Sequence, residues 1–575
     1  MLTAIHEWTH GPKIFLAMYA NVTLPMLVVQ IRARAPILAW WRSVLVSVPL
    51  TLIGVLIIVL AAWLLSRVVG VTGGGFFSWL FGAGFLALLG HSCGMGIAYG
   101  DAPNSISAYR RGAVVSDAKI LFNPRRLRRW GRDGKRGSDP KSFITLAGIP
   151  VAAEDETKHF KCIGTTGTGK STAIREMLSA ALARGDRAVI ADPDGGYLSH
   201  FYDADRGDVI LNPFEPGAVK WNLLAEIRSD HDVDQLARSL IPDGGGSDRI
   251  WSGYARTFFT AVVQQVVAAR IADDGEIYRL VTKASVQELK LLLAGTVAGP
   301  FLEDANDRMF GSTRAVTTSA IGALRYTTQQ RAAPFSVRQW IGQGGTAHGG
   351  RGGVLFIPYK AGEIAALRST ISAWMRIAIF EAMNRPEGDQ RLWFVIDELD
   401  ALGEIDGLKD ALARLRKFGG RCVLGFQSIS QVSSTYGKGA ADTIVENCGN
   451  SLILRCSASE QGGTSQFASR LIGQREIVHT TRSQTLRPGE WEPSTTTSEQ
   501  RTIEPAIMAS EVERLPDLTG FLKLASIPDW MRVTLKHVGY PTVARGGHCS
   551  SDHPGVHGDG GANVQKTRGN AGGGE

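Results

Sequence analysis

The spacing of apolar and polar positions divides the chain into regions of different character. Residues 44–65, VLVSVPLTLIGVLIIVLAAWLL, carry no charge and are long enough for a helix to cross a ~30 Å hydrocarbon layer. After a turn containing Arg67, Gly73, Gly74 and Gly75 comes a second apolar stretch, 76–97. The pair predicts an N-terminal transmembrane helical hairpin. Gly90 and Gly94 supply one small-residue spacing of the kind that lets membrane helices approach closely. Residues 14–29 are also apolar but are interrupted by Asn21 and Pro25, which leaves an interfacial helix and a third span both open. A cleavable signal peptide would place a short apolar stretch close to the N-terminus, whereas the first clear span begins only at Val44.

Further along, short apolar runs end in polar turns and alternate with helical periodicity. Runs at 159–163, 187–191, 208–211, 353–358, 392–400 and 421–427 predict buried strands, and 172–184 and 408–417 predict helices. Such alternation belongs to the α/β class with a parallel sheet. Between residues 222 and 332 the strand patterns give way to helical ones, clearest at 250–271 and 285–293. This predicts an all-α inserted domain in which Trp251, Tyr254, Phe258 and Phe259 are core. After Tyr540 the composition collapses to Gly, His, Asp, Ser and Lys, which cannot bury enough apolar surface to fold. His548, Cys549, His553 and His557 lie in that flexible stretch and do not predict a dedicated metal site. The expected layout is an anchor at 1–109, a nucleotide-binding domain in two parts at 110–223 and 336–541, the insert at 224–335 and a disordered tail at 542–575.

Charge changes the picture less than its total suggests. The net charge is +8, but residues 1–141 hold 16 Lys+Arg against 5 Asp+Glu, so that region carries +11 and the remainder −3. The excess lies beside the apolar segments: Arg32, Arg34 and Arg42 before the first span, and Arg110, Arg111, Arg125, Arg126, Arg128 and Arg129 after the second. Both flanks are therefore expected on the cytoplasmic side, with the large C-terminal body in the cytoplasm. The six cysteines lack the paired spacing of zinc sites or disulfide frameworks, as suits a reducing compartment.

The chemistry concentrates in a few short motifs. KCIGTTGTGKST places Gly164, Thr165, Thr166, Gly167, Thr168, Gly169, Lys170, Ser171 and Thr172 in a P-loop between a strand and a helix. Its backbone N–H groups would wrap the phosphates of ATP, Lys170 would reach the β/γ oxygens, and Ser171 would offer a hydroxyl to Mg2+. LWFVIDELD is an apolar strand ending in Asp397 and Glu398, which reads as a Walker B strand. Asp397 would hold the water shell of Mg2+, and Glu398 would act as general base. The strand RCVLGFQ ends in Gln427, a candidate γ-phosphate sensor, because residues that end neighbouring parallel strands converge on one ligand. Arg414 and Arg416 close the helix before the Gly419–Gly420 break. Each could serve as a trans arginine to a neighbouring subunit or simply complement a helix C-terminus.

Together GTTGTGKST, the DPDGG turn, VILNPFEPGAVKWNLLAEI, FVIDEL, GFQSISQVSSTYG and EVERLPDLTG resemble the type IV secretion coupling proteins, in order from about residue 149 to 541. The resemblance implies a RecA-like nucleotide domain in a homohexameric ring at the inner membrane. It also implies ATP-driven passage of single-stranded DNA through the centre, and the absence of helix-turn-helix or zinc-finger spacing in the sequence predicts no sequence-specific base readout. Lys170 and Asp397 would be the Walker residues, Gln427 would lie near the γ-phosphate, and Arg416 rather than Arg414 would be the trans arginine. The implied partners are a relaxase-bearing relaxosome and the proteins of a type IV secretion channel. Competing readings are an FtsK-like chromosome translocase, a coupling protein delivering protein effectors, and a membrane receptor that binds nucleotide only to assemble.

Overall fold

In a sheet covered by helices on both sides, strands lose the in–out alternation of an exposed sheet and become uniformly apolar, and the runs identified above form strands of this kind. The computed structural model describes residues 2–32, 37–69, 75–100, 105–118, 143–243, 248–343, 353–388, 391–459, 463–485 and 494–544. Its main strands are β1 (Val115–Asp117), β2 (Phe160–Ile163), β3 (Arg187–Pro193), β4 (Val209–Ile210), β5 (Val354–Tyr359), β6 (Leu392–Ile396), β7 (Gly420–Phe426), β8 (Asn450–Ile453), β9 (Thr519–Lys523) and β10 (Trp530–Thr534). They form one ten-stranded sheet in the order β1-β10-β9-β8-β2-β7-β6-β3-β5-β4. From β8 through β4 all neighbours are parallel, whereas β9 runs antiparallel to both β8 and β10. This is the α/β class expected. The order β2-β7-β6-β3-β5 decides the chemistry, because it sets the carboxyl ends of strands far apart in sequence side by side.

The chain divides into two compact units, Met1–Arg111 with Glu476–Ile503, and Gly112–Arg475 with Glu504–Glu575. The second unit holds the sheet and the helical insert. The insert opens and closes on a short parallel pair, Lys220–Trp221 with Pro334–Phe335. Buried Glu226 fastens that closure by accepting hydrogen bonds from Trp221 Nε1, Ser336 Oγ and the backbone N–H groups of Val337 and Arg338. Phe258 and Phe259 are fully buried, as expected, in a core that also includes Trp374 and Phe394. The apolar interior of the insert is thus continuous with one face of the sheet. A second cluster, with Phe160, Ile174, Met177 and Leu522, fills the other face.

The first unit contains α1 (Leu2–Arg32), α2 (Ile37–Val69) and α3 (Gly75–Gly100). The two expected spans lie within α2 and α3, and the undecided segment 14–29 lies within α1. The same unit holds a three-stranded sheet of Ser105–Gly112, Gln474–Thr485 and Ser494–Pro505, with Gln474–Thr485 central. Residues 476–503, expected within the nucleotide-binding domain, therefore group with the N-terminal helices. Glu476 there binds both Arg110 and Arg111. The arginines at 125–129, most of the turn between α2 and α3, and the tail from 545 lie outside the described residues.

Candidate nucleotide site

The P-loop is shaped by its glycines. It leaves β2 at Gly164 and enters α4 (Lys170–Ala183) through Gly167 and Gly169, whose φ angles of 77° and 114° lie in the left-handed region that disfavours side chains. Close approach adds a second constraint. A Cβ at Gly164 would stand 2.8 Å from Thr168 Oγ1, and one at Gly169 would stand 2.8 Å from Leu518 Cδ2. Lys170 Nζ donates to the Gly164 carbonyl at 2.7 Å and to that of Thr165 at 3.3 Å. Thr168 Oγ1 donates back to Thr165 O at 2.7 Å. Thr166 and Gly167 are exposed at the loop tip, and Ser171 and Thr172 occupy the first turn of α4. Free N–H groups at a helix start, beside a lysine, form a site for a phosphate chain.

Asp397 and Glu398 emerge directly from β6. Asp397 is buried, and its Oδ2 accepts from Ser171 Oγ at 2.6 Å and from the Tyr197 hydroxyl at 2.8 Å. Its other oxygen, Oδ1, is buried with no hydrogen-bond partner. A carboxylate oxygen left bare beside a serine hydroxyl fits a divalent cation and its waters, which is the donor set Mg2+ takes. Gly425 of β7 allows this approach, since a Cβ there would lie 2.2 Å from the Asp397 carbonyl. Gln427 bridges two parts of the site: its Nε2 donates to Glu398 Oε1 at 2.9 Å, and its Oε1 accepts from Thr166 Oγ1 at 2.9 Å. Burial raises the Glu398 carboxyl above the usual range, with Asp397 and Asp400 adding to the shift and the Gln427 bond opposing it.

Lys170, Ser171, Asp397, Glu398 and Gln427 thus meet at one edge of the sheet, while Arg416 does not join them. It is exposed in the turn Arg416–Phe418, where the chain enters β7, and Gln427 follows the far end of that strand. Seven residues of strand separate the two edges by about 23 Å. Arg414, two residues earlier at the end of the preceding helix, is also exposed at that edge.

Several groups at the site escaped sequence reasoning. Asp192, at the end of β3, accepts from the N–H groups of Tyr197 and Leu198. Burial pushes its carboxyl up to about 7, against those hydrogen bonds. Tyr197 is held by this clasp and by Arg175, whose guanidinium lies 5.7 Å from its ring centroid. Tyr359, ending β5, has a buried hydroxyl with no partner; burial raises its pKa, and the charge of Glu398 adds to the shift. An aromatic directly after the DPDGG turn was the only local sign of Tyr197. Its target lies 200 residues away.

The family described as the type IV secretion-system coupling protein DNA-binding domain matches residues 143–536. Coupling protein TraD of Escherichia coli K12 is 28% identical over 434 residues, covering 75% of this chain but only 59% of TraD. A conjugal transfer protein TraG of Escherichia coli is 25% identical, covering 56% of each chain. The chain thus spans little more than half the length of these relatives. Among solved structures, plasmid coupling protein TrwB with the non-hydrolysable ATP analogue ADPNP superposes with a TM-score of 0.64 at 28% identity, covering 76% of this chain and 96% of TrwB. TrwB with ADP and Mg2+ gives 0.63 at 29% identity over the same shares. A match running through both halves of the sheet and the insert between them places this chain in the type IV secretion-system coupling protein family.

Proposed function

We propose that this protein is an inner-membrane ATPase that couples relaxase-bound DNA to a type IV secretion channel and moves single-stranded DNA through a ring of six copies. The observation that carries the reading is the convergence of P-loop, Asp397, Glu398 and Gln427 at one sheet edge, with Arg416 at the other. Arg416 cannot serve its own site across the length of a strand. In a head-to-tail ring it can serve a neighbour's, since one copy's entry edge then faces the next copy's nucleotide.

In this reading the loop N–H groups from Gly164 to Thr172 wrap the phosphates of ATP, and Lys170 exchanges its loop carbonyls for the β/γ oxygens. Ser171 and Asp397 would hold Mg2+, which would neutralise phosphate charge. Glu398 takes a proton from the water whose oxygen attacks the γ-phosphorus. The bond from that phosphorus to the bridging oxygen breaks, and ADP and inorganic phosphate leave. Gln427, bonded to both Glu398 and Thr166, links the state of the base to the loop tip. Arg416 of the adjoining copy offsets the charge of the transferring group. α2 and α3 anchor the ring in the inner membrane with the nucleotide domain in the cytoplasm. DNA in the channel is gripped through its phosphates by cations lining the ring, so the −3 charge of the soluble body is no obstacle, because such contacts depend on local charge.

Mixing two inactive variants tests the shared site. Lys170→Ala and Arg416→Ala should each abolish hydrolysis alone. Mixed rings should recover activity at on the order of a quarter of their interfaces, those joining an intact P-loop to an intact arginine. Mixtures as inactive as either parent would refute the trans arrangement.

A further inference from the structure

The first helix raises a question that the hairpin expectation leaves open. Lys13–Arg32 of α1 spans 20 residues without an internal charge, about 30 Å of helix and the thickness of a hydrocarbon core. Its outward side chains are large and apolar: Ile14, Leu16, Leu24 and Ile31 are 55–67% exposed.

The inward face fixes the helix direction. A Cβ at Gly90 would lie 2.2 Å from the Val22 carbonyl oxygen, and one at Gly94 would lie 2.8 Å from Met26 Cα. Val22 and Met26 are completely buried in this seam. Contact therefore advances four residues on α1 for four on α3, in the same sense, so the two helices run parallel and in register. Against α2 the sense reverses, with Gly54 meeting Leu86 and Gly82 meeting Ile58. A helix parallel to a membrane span, and packed on its small-residue face, crosses in the same direction.

The interruptions at Asn21 and Pro25 do not prevent this. Asn21 Nδ2 donates to the Ala17 carbonyl at 3.1 Å, and Thr23 Oγ1 donates to that of Tyr19 at 2.7 Å. Gln30 Nε2 reaches Ser43 Oγ at 2.9 Å and the Gly94 carbonyl at 3.2 Å. Each of these groups donates within the three helices, as a helix surrounded by lipid requires; Gln30 Oε1 is buried without a partner, and the polar groups present no hydrated stripe for an interfacial position. Charge agrees. Arg32, Arg34 and Arg42 cluster at the end that α1 and α2 share, against Lys13 and Arg67 at the other.

We propose that α1 is a third membrane span, its outer face covered by lipid acyl chains, which puts residues 1–12 on the opposite side of the membrane from the nucleotide domain. This rests on the reading that the nucleotide domain is cytoplasmic. The test uses the full chain in spheroplasts and a membrane-impermeant maleimide. With Cys93→Ser and Cys549→Ser, the remaining thiols at Cys162, Cys422, Cys448 and Cys456 are buried. Single cysteines are then placed by Ala4→Cys, Thr72→Cys and Lys438→Cys. Ala4→Cys and Thr72→Cys should react fully in intact spheroplasts and Lys438→Cys only after lysis, with residues 2–32 retained by intact mass. Protection of Ala4→Cys while Thr72→Cys reacts, or loss of residues 2–32 from the mature chain, would overturn the third span. Reaction of Lys438→Cys without lysis would overturn the cytoplasmic reading instead, and α1 would then stand as a span only if Ala4→Cys were protected.

Discussion

Replacing Tyr197 by Phe removes one oxygen from the nucleotide site and almost nothing else. The ring is buried, stacked near Arg175 and positioned by backbone bonds to Asp192, none of which needs the hydroxyl. What disappears is the 2.8 Å bond to Asp397 Oδ2, one of two protein donors on a carboxylate whose other oxygen has none. A hydrogen bond to a charged group contributes about 1.5–3 kcal/mol, which corresponds to roughly 10- to 100-fold. Loss of an orienting partner behind a metal-binding carboxylate typically costs the same factor in metal affinity or turnover. Tyr197→Phe should therefore raise the Mg2+ concentration for half-maximal ATPase, or lower kcat, by roughly 10- to 100-fold. The assay is steady-state hydrolysis across a Mg2+ titration, with a thermal melt to show that the variant is folded. A folded Tyr197→Phe protein with unchanged kcat and Mg2+ dependence would refute the positioning argument.

Four further outcomes follow from the structure. Tyr359 carries a buried hydroxyl without a partner, so Tyr359→Phe should stabilise the protein by about 1 kcal/mol or more, read as a rise in Tm; a fall in Tm would contradict this. Glu398 must be ionised to accept a proton, and its carboxyl is already raised by burial, so ATPase activity should be lost on acidification at a pH above the ordinary glutamate range. Removing the Gln427 donor disfavours the ionised form, so Gln427→Ala should move that acidic limb to still higher pH, and a shift downward would sink the assignment. Glu226→Ala should leave four donors at the closure of the insert unsatisfied and destabilise the second unit by about 4 kcal/mol or more. Denaturant titration would measure it, and a loss under about 1 kcal/mol would show that the closure is held by other means.

What the sequence disclosed and what it withheld differ by the range of the interactions involved. The P-loop and the Asp397–Glu398 pair are local: glycines at fixed spacing and carboxylates ending an apolar run declare themselves without reference to the rest of the chain. Runs such as 187–191 and 353–358 were legible for the same reason, being buried on both faces. Strand order was not legible. That β3 lies beside β6, bringing Tyr197 onto Asp397, depends on a crossover through the whole insert. The strands Gln474–Thr485 and Ser494–Pro505 were missed because Thr, Ser, Arg and Glu populate both of their faces, leaving no apolar alternation to detect. β8 is only four residues long and starts with Asn450, whose side chain bonds the Asp155 and His159 carbonyls. The first helix, α1, stayed ambiguous because Asn21 and Pro25 break the apolar pattern, and the bond of Asn21 to the Ala17 carbonyl appears only in three dimensions.

The central claim is that nucleotide hydrolysis at Lys170, Asp397 and Glu398 drives DNA movement. Its most direct test is the ATPase rate of the full-length protein in lipid nanodiscs, with and without single-stranded DNA, using Lys170→Ala as the blank. The account predicts strong stimulation by DNA that is absent in the blank and rises steeply with protein concentration as rings form. Hydrolysis indifferent to DNA, or none under any condition, would contradict it.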